Sequence, residues 1–192
     1  MARLRLHPVI LLALFGASWA FGQPLFRVYP RTEVAGEGTR ENVLLMEAGN
    51  ERFELGVPRG YGTQIHLETL SIVFTSRTGA SVISVQVSTN YPAALPKQED
   101  LRNEVARKYP GASLVQSSVC FTDFGPGQCF ELIRPVADGL TVRLRDAYVS
   151  YPEGSFEFTF TCNGADYDKE KLSFTRLLNS FRLQPEPAKK NP

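Results

Sequence analysis

Hydrophobic and polar residues alternate along the chain from about residue 42, and this is the period of β-strands. Two runs, 43–47 and 52–57, are separated by a Gly-Asn pair that suits the two-residue turn of a hairpin. Further strands are predicted over 66–75 and 80–89, and a stretch rich in Gly and Pro that begins at Pro58 separates them from the hairpin. We therefore expect four strands before the period changes.

A helical period follows these strands. Leu101, Val105 and Tyr109 recur at four-residue steps after Pro96, and Pro110-Gly111 ends the segment. The helix would have one narrow apolar stripe, as expected for a helix that lies on a sheet.

The second half of the chain predicts a meander and a closing helix. Turn-forming residues separate four strands, over 113–122, 128–136, 140–150 and 155–162. The closing helix, 168–181, has apolar residues at i, i+3, i+4 and i+7, and these are Phe174, Leu177, Leu178 and Phe181. Antiparallel strands with one helix between them and one after them predict an α+β fold, in which helices pack on an antiparallel sheet.

The first twenty residues have the pattern of a cleavable signal peptide. Arg3 and Arg5 precede an apolar run from Pro8 to Phe15, and the small-residue stretch 17–20 provides a cleavage site. This run is shorter than the roughly 20 residues that span a membrane. We therefore expect a secreted or periplasmic protein without a stable membrane anchor.

Composition divides the remaining chain into three parts. Residues 21–41 contain Pro and Gly and are predicted to be an extended or poorly ordered lead-in. Residues 42–183 are predicted to form a single α+β domain, and 184–192 a disordered tail with nothing to bury.

Charge argues against two classes of partner. Loss of Arg3 and Arg5 with the signal peptide leaves 19 basic residues against 20 acidic ones, and the basic residues are scattered. Nucleic acids and anionic membranes are bound by clustered Lys and Arg. Neither is expected as a partner.

The three cysteines suggest one disulfide in an exported protein. Cys120 and Cys129 flank a Gly-Pro-Gly turn, and a turn centred between Phe124 and Gly125 would place them opposite each other. A bond from Cys129 to Cys162 is the alternative pairing, and three reduced thiols are the third possibility.

Residues and element order together resemble the PsbP-like superfamily, over roughly Val43 to Leu183. The resemblance is carried by the stretch Phe53-Glu54-Leu55-Gly56-Val57-Pro58-Arg59-Gly60-Tyr61, by the order of strands and helix, and by the closing Leu178-Asn179-Ser180-Phe181-Arg182. That group includes the extrinsic subunit of photosystem II, a nuclear-import factor that binds the GTPase Ran, and many small exported bacterial proteins. The resemblance implies an antiparallel sheet between helices and a family that mostly binds proteins. The usual Trp after Pro-x-Gly is Tyr61 here, and no functional residue carries over.

Few residues suit catalysis, metal binding or cofactor binding. His66 is the only histidine left after cleavage, and no C-x-x-C or glycine-rich phosphate motif is present. We therefore expect neither a cofactor nor a metal, and a non-catalytic role is the favoured interpretation. A hydrolase whose site is built from the scattered carboxylates of Glu68, Asp123, Glu131 and Asp146 is one alternative. A carrier of a small apolar ligand is another.

Two groups of residues are candidates for binding an unknown protein partner. Phe121 and Phe124 lie at the Gly-Pro-Gly turn, where an exposed ring would be a low-entropy anchor, although core packing of both rings is equally compatible with the sequence. Arg143 and Arg145 alternate along one strand and would pair across strands with Glu157 or form a partner-binding face. The favoured function is an exported, protein-binding or envelope-assembly module.

Overall fold

The computed structural model describes residues 26–34, 40–88 and 95–184. Within these ranges the chain forms two antiparallel sheets and two α-helices, so the predicted α+β class is confirmed. In chain order the strands are β1 Phe26–Val34, β2 Arg40–Ala48, β3 Glu51–Gly56, β4 Tyr61–His66, β5 Ser71–Ser76, β6 Ser81–Ser88, β7 Ser113–Phe121, β8 Pro126–Pro135, β9 Thr141–Tyr151, β10 Gly154–Asn163 and β11 Arg182–Leu183. The helices are α1 Gln98–Lys108 and α2 Tyr167–Ser180. The predicted signal peptide and the tail from 185 lie outside the described residues.

The smaller sheet has the strand order β1-β2-β3-β11. Its β2–β3 hairpin turns at Gly49 and Asn50, as the Gly-Asn pair predicted, and Gly49 has a φ of 63°. The prediction that ordered structure begins at residue 42 is wrong, because β1 pairs with β2 from Phe26 opposite Ala48 to Val34 opposite Arg40. Pro30 is compatible with this strand because β1 lies at the sheet edge, where a missing N–H costs no ladder bond.

The larger sheet has the order β4-β5-β6-β10-β9-β8-β7 and contains the predicted meander. One prediction was wrong here. The stretch after Pro58 was predicted only to separate strands, but Tyr61–His66 forms the strand β4, which pairs with β5. The turn between β4 and β5 is 67–70, within the single strand predicted over 66–75. His66 is therefore the last residue of an edge strand, and its side chain is exposed.

Each face of the larger sheet is covered differently. Leu101 and Val105 of α1 are buried against Phe130, Leu132 and Tyr148 on one face. On the other face, α2 and the smaller sheet cover a core of aromatic rings, of which Phe53, Phe156, Phe158, Phe160, Phe174 and Phe181 are fully buried. The predicted apolar stripe of α2 and the rings of Phe156, Phe158 and Phe160 on β10 form the centre of this core.

The β7–β8 hairpin has a different register from the one predicted, and this corrects the disulfide assignment. Cys120 lies opposite Gly127, and Cys129 lies opposite Ser118, so the two cysteines are diagonal neighbours. Such neighbours are about 7 to 8 Å apart, too far for a disulfide. A Cβ on Gly127 would lie 2.4 Å from the Tyr148 carbonyl oxygen, so only glycine fits at this position. All three cysteines are free and buried, and Cys162 lies opposite Arg143 in β10, away from Cys129.

Candidate functional site

A cleft of about 670 Å³ opens where the β3–β4 loop, the β5–β6 turn and α2 meet. Three arginines line it, one from each of these elements: Arg59, Arg77 and Arg176. All three side chains are exposed. We call this surface the arginine cleft.

Strand pairing brings two of these arginines together. Tyr61 at the start of β4 lies opposite Ser76 at the end of β5, so the loop before one strand meets the turn after the other. The Arg77 N–H donates to the Gly60 carbonyl at 2.9 Å and closes this junction. Gly60 has a φ of 82°, in the left-handed region that a side chain disfavours. The sequence Pro-Arg-Gly-Tyr therefore places Arg59 beside Arg77.

Helix α2 supplies the third wall because it approaches β3 closely. The Gly56 N–H donates to the Ser180 hydroxyl at 2.9 Å, and a Cβ at Gly56 would lie 2.9 Å from that same oxygen. Leu177 is buried on one side of the helix, and Arg176 points out beside it into the cleft. Glycine in β3 thus permits the contact that forms the wall.

The charges in the cleft are unbalanced. Arg59 lies 3.6 Å from a carboxylate oxygen of Glu41, and these side chains are 77% and 54% exposed. The guanidinium groups of Arg77 and Arg176 have no ion pair or hydrogen bond with any residue that the structure describes. Among the described lining residues, three cations thus face one anion.

A hydrogen-bonded group lies beneath the cleft. The Tyr61 hydroxyl is 2.6 Å from Ser81 Oγ and 2.8 Å from Glu170 Oε2, and the Ser81 hydroxyl donates to the same Glu170 oxygen at 3.0 Å. Burial raises the pKa of Tyr61 to about 12. Tyr61 therefore stays neutral at ordinary pH and fixes the cleft wall to the first turn of α2.

The two candidate phenylalanines occupy different environments. Phe124 packs on Phe53 and Phe181, with ring centroids 5.7 and 6.2 Å away, so this residue belongs to the core. Phe121 is 69% exposed at the end of β7. Only Phe121 is therefore available at the surface.

Arg143 and Arg145 face α2 and not Glu157, so the predicted pairing with Glu157 is wrong. Glu157 lies opposite Tyr148 and points to the α1 face, whereas Arg143 pairs with Glu131 and lies 4.4 Å from the Tyr167 ring. Arg145 lies 5.5 Å from the ring of Phe174. Residues two apart on a strand share a face, so Arg143 and Arg145 lie on one face of the sheet, and Tyr148 and Glu157 lie on the other. These arginines hold α2 to the sheet.

The four carboxylates of the hydrolase alternative do not converge. Glu131 and Asp146 lie on neighbouring strands but point to opposite faces, because Asp146 is opposite Phe130 and Glu131 is opposite Arg145. Glu68 is in the β4–β5 turn and Asp123 in the β7–β8 turn, at separate edges of the sheet. No site of two carboxylates is formed from this set.

Asp146 is nevertheless in an unusual environment. It is fully buried between α1 and the sheet, where Lys108 Nζ lies 3.4 Å away and the Tyr148 hydroxyl 3.0 Å away. The Thr159 hydroxyl donates to it at 3.0 Å. Burial raises the pKa of Asp146 and Glu157 adds to the rise, while Lys108 opposes it. These groups satisfy one another and tie α1 to β9 and β10.

The cysteines lack the features of reactive thiols. Burial raises the pKa of Cys120 and of Cys162 to about 12 in each case. Burial also raises the pKa of Cys129, although Arg145 lowers it in part.

Among the described residues no three His, Cys, Asp or Glu side chains are close enough to hold a metal ion. In the same ranges, no helix has the length and apolar character needed to cross a membrane.

Comparisons with known proteins support the fold. No family model and no curated protein matches the chain. Among solved structures, cyanobacterial PsbP (CyanoP) from Synechocystis sp. PCC 6803 is similar, with a TM-score of 0.56 at 15% identity over 88% of this chain and 98% of that one. The chain resembles PsbP in fold. A protein of unknown function from Pseudomonas aeruginosa has a TM-score of 0.48 at 15% identity, over 76% of this chain and 99% of its own.

The PsbP likeness is a distant structural relation, so it extends to the fold and not to any site. Arg59, Arg77 and Arg176 could not be grouped from the sequence because they are 18 and 99 residues apart along the chain. One local signal existed, since Arg59 and Arg77 each lie close to a glycine of a predicted turn. Their proximity depends on β4, which the sequence reasoning did not recognise.

Proposed function

We propose that the chain is an exported, non-catalytic module that binds a protein partner, and that the arginine cleft is its docking site. The observation that carries this proposal is the pair of unpartnered guanidinium groups of Arg77 and Arg176 beside Arg59. Like charges held together without counter-ions cost stability, and such local costs are typical of functional sites. Guanidinium groups are also enriched at protein interfaces.

Other features of the chain favour binding over the alternatives. Export is supported by the signal-peptide pattern of residues 1–20. A hydrolase would need carboxylates that converge, and the four candidates point to different places. A carrier of an apolar ligand would need an empty space between sheet and helix, whereas fully buried aromatic rings fill that space.

Phe121 is a candidate for a second contact with the partner. It ends the edge strand β7, which has no charged residue, and Val119 on the same face is 54% exposed. Exposed apolar side chains on an uncharged edge strand favour pairing with another chain. This surface lies on the sheet edge opposite β4, so mutations can separate it from the arginine cleft.

The experiment is capture of the partner in the native cell envelope. Tagged protein would be crosslinked in the host, purified and analysed by quantitative mass spectrometry, with charge reversals Arg77→Glu and Arg176→Glu. Arg102→Glu is the matched control, because Arg102 is also an exposed helix arginine but lies in α1 on the other face of the sheet. We expect one set of proteins with the wild type and with the control, and loss of that set in both cleft variants.

Two results would contradict the proposal. Equal capture by wild type and both cleft variants would remove the cleft from the interaction. Turnover of a substrate by the purified protein would show that the module is catalytic.

A further inference from the structure

We infer that the arginine cleft accepts an extended acidic segment of the partner. In the free protein, Glu41 pairs with Arg59 and takes the place of one carboxylate of that segment. This inference rests on the proposed function, because it names the chemistry of the partner at the same site. It is carried by the donors in the cleft, by its floor and by the position of Glu41.

The charged donors available to a ligand are the arginine side chains. The amides of Gly56, Val57, Tyr61 and Arg77 at the cleft are already hydrogen-bonded, to Ser180, Asn42, Pro58 and Gly60 respectively. The cleft has three guanidinium groups, and these bind carboxylates through paired N–H donors.

The three guanidinium groups are distributed over three elements around an open space of about 670 Å³. Successive carboxylates on one chain could contact all three groups. The ligand that best matches this distribution is therefore a segment with several acidic residues.

The floor of the cleft favours a polypeptide over a bare anion. Val57, which is half-buried, contributes apolar surface to the cleft, whereas Pro58 and Leu177 are buried. The methylene groups of Glu and Asp side chains would pack on this surface while their carboxylates reach the guanidinium groups. An inorganic anion would leave it uncovered.

Glu41 shows which group Arg59 accepts. Its carboxylate lies 3.6 Å from Arg59 across the rim of the cleft, and both side chains are largely exposed. Exposed pairs of this kind contribute little to stability, so a competing carboxylate can replace Glu41 at little cost. Removal of this internal competitor should strengthen binding.

The test is an NMR titration of the isotope-labelled mature protein with a short peptide of alternating Glu and Ser. We expect the amide signals of Gly60, Arg77 and Ser173 to shift, and a peptide with Gln in place of Glu to leave them unchanged. Arg176→Gln should weaken binding about two- to fivefold, and Glu41→Gln should strengthen it by a similar factor. Glu99→Gln, which removes an exposed acid of α1, is the control and should change nothing.

Three outcomes would overturn the inference. Unchanged or weaker binding in Glu41→Gln would show that Glu41 is not a competitor. Equal shifts of the same amides by inorganic phosphate or heparin, at matched charge concentration, would show that carboxylates are not selected. If the captured partner is lost in Arg176→Glu but the acidic peptide does not bind, this inference fails alone. If capture is insensitive to Arg176→Glu, the proposed function fails.

Discussion

The ring of Phe124 meets the ring of Phe181 edge-on, with centroids 6.2 Å apart, and the Phe124 N–H donates to the Phe181 carbonyl at 3.3 Å. The β7–β8 turn is thereby fixed to the end of α2. Phe121, three residues earlier, is 69% exposed. The two rings near this turn therefore have separate roles, one in packing and one at the surface.

We expect Phe124→Ala to lower the free energy of unfolding by about 2 kcal/mol, since fully buried Phe→Ala changes cost about 3 to 5 and Phe124 is only partly buried. Phe121→Ala should change it by less than about 0.5 kcal/mol. Urea denaturation of both variants measures this difference. Equal stability of the two variants would contradict the placement of Phe124 in the core.

We predict that the folded protein contains three slowly reacting thiols and no disulfide. Cys120, Cys129 and Cys162 are all buried, and burial raises the pKa of each thiol. A colorimetric thiol reagent should find no fast-reacting group in the folded protein and three after unfolding. A single thiol after unfolding, under non-reducing conditions, would show that two cysteines are bonded.

Much of the fold could be predicted from local patterns. Both helices and the four strands of the meander follow from periodicity and turn residues, because burial of one face imposes the period. Strand β1 could not be predicted, since Pro30 and nearby glycines indicate loops unless an edge position accommodates them. The register of Cys120 was also out of reach, because it depends on where the turn closes and on the close approach of Gly127 to Tyr148.

The candidate site was harder to predict than the fold. Arg59 and Arg77 meet only because Tyr61 pairs with Ser76, and Arg176 joins them only because Gly56 lets α2 approach β3. These are long-range contacts, and a single sequence carries no direct signal for them. Arg143 and Arg145 were easier to notice because they lie two residues apart on one strand, yet their contacts include the rings of α2.

The raised pKa of Asp146 predicts a pH-dependent stability. Its pKa rises from 3.8 to about 8 on folding, so between these values the folded protein keeps a proton that the unfolded chain releases. The contribution of this group is therefore complete below about pH 4 and is lost as the pH rises towards 8. We expect the free energy of unfolding to decrease from pH 5 to pH 8, as measured by urea denaturation.

Asp146→Asn should flatten this dependence, because the amide does not titrate. Asp138→Asn is the matched control, since Asp138 is exposed in the turn before β9, and its pH profile should follow the wild type. A wild-type profile as flat as that of Asp146→Asn would show that Asp146 titrates at its ordinary pKa.

The unpaired charges of the cleft predict that the cleft arginines do not stabilise the fold. Arg77 and Arg176 have no partner among the described residues and lie near Arg59, so their mutual repulsion opposes folding. We expect the double variant Arg77→Gln, Arg176→Gln to unfold at a urea concentration equal to or above that of the wild type. Any gain should shrink as salt is added, because salt screens exposed charges.

Arg143→Gln provides the contrast, since it removes the partner of Glu131 and should destabilise the protein. A double variant that is clearly less stable than the wild type would mean that Arg77 and Arg176 stabilise the fold. The proposal that the cleft is a binding site would then lose its support.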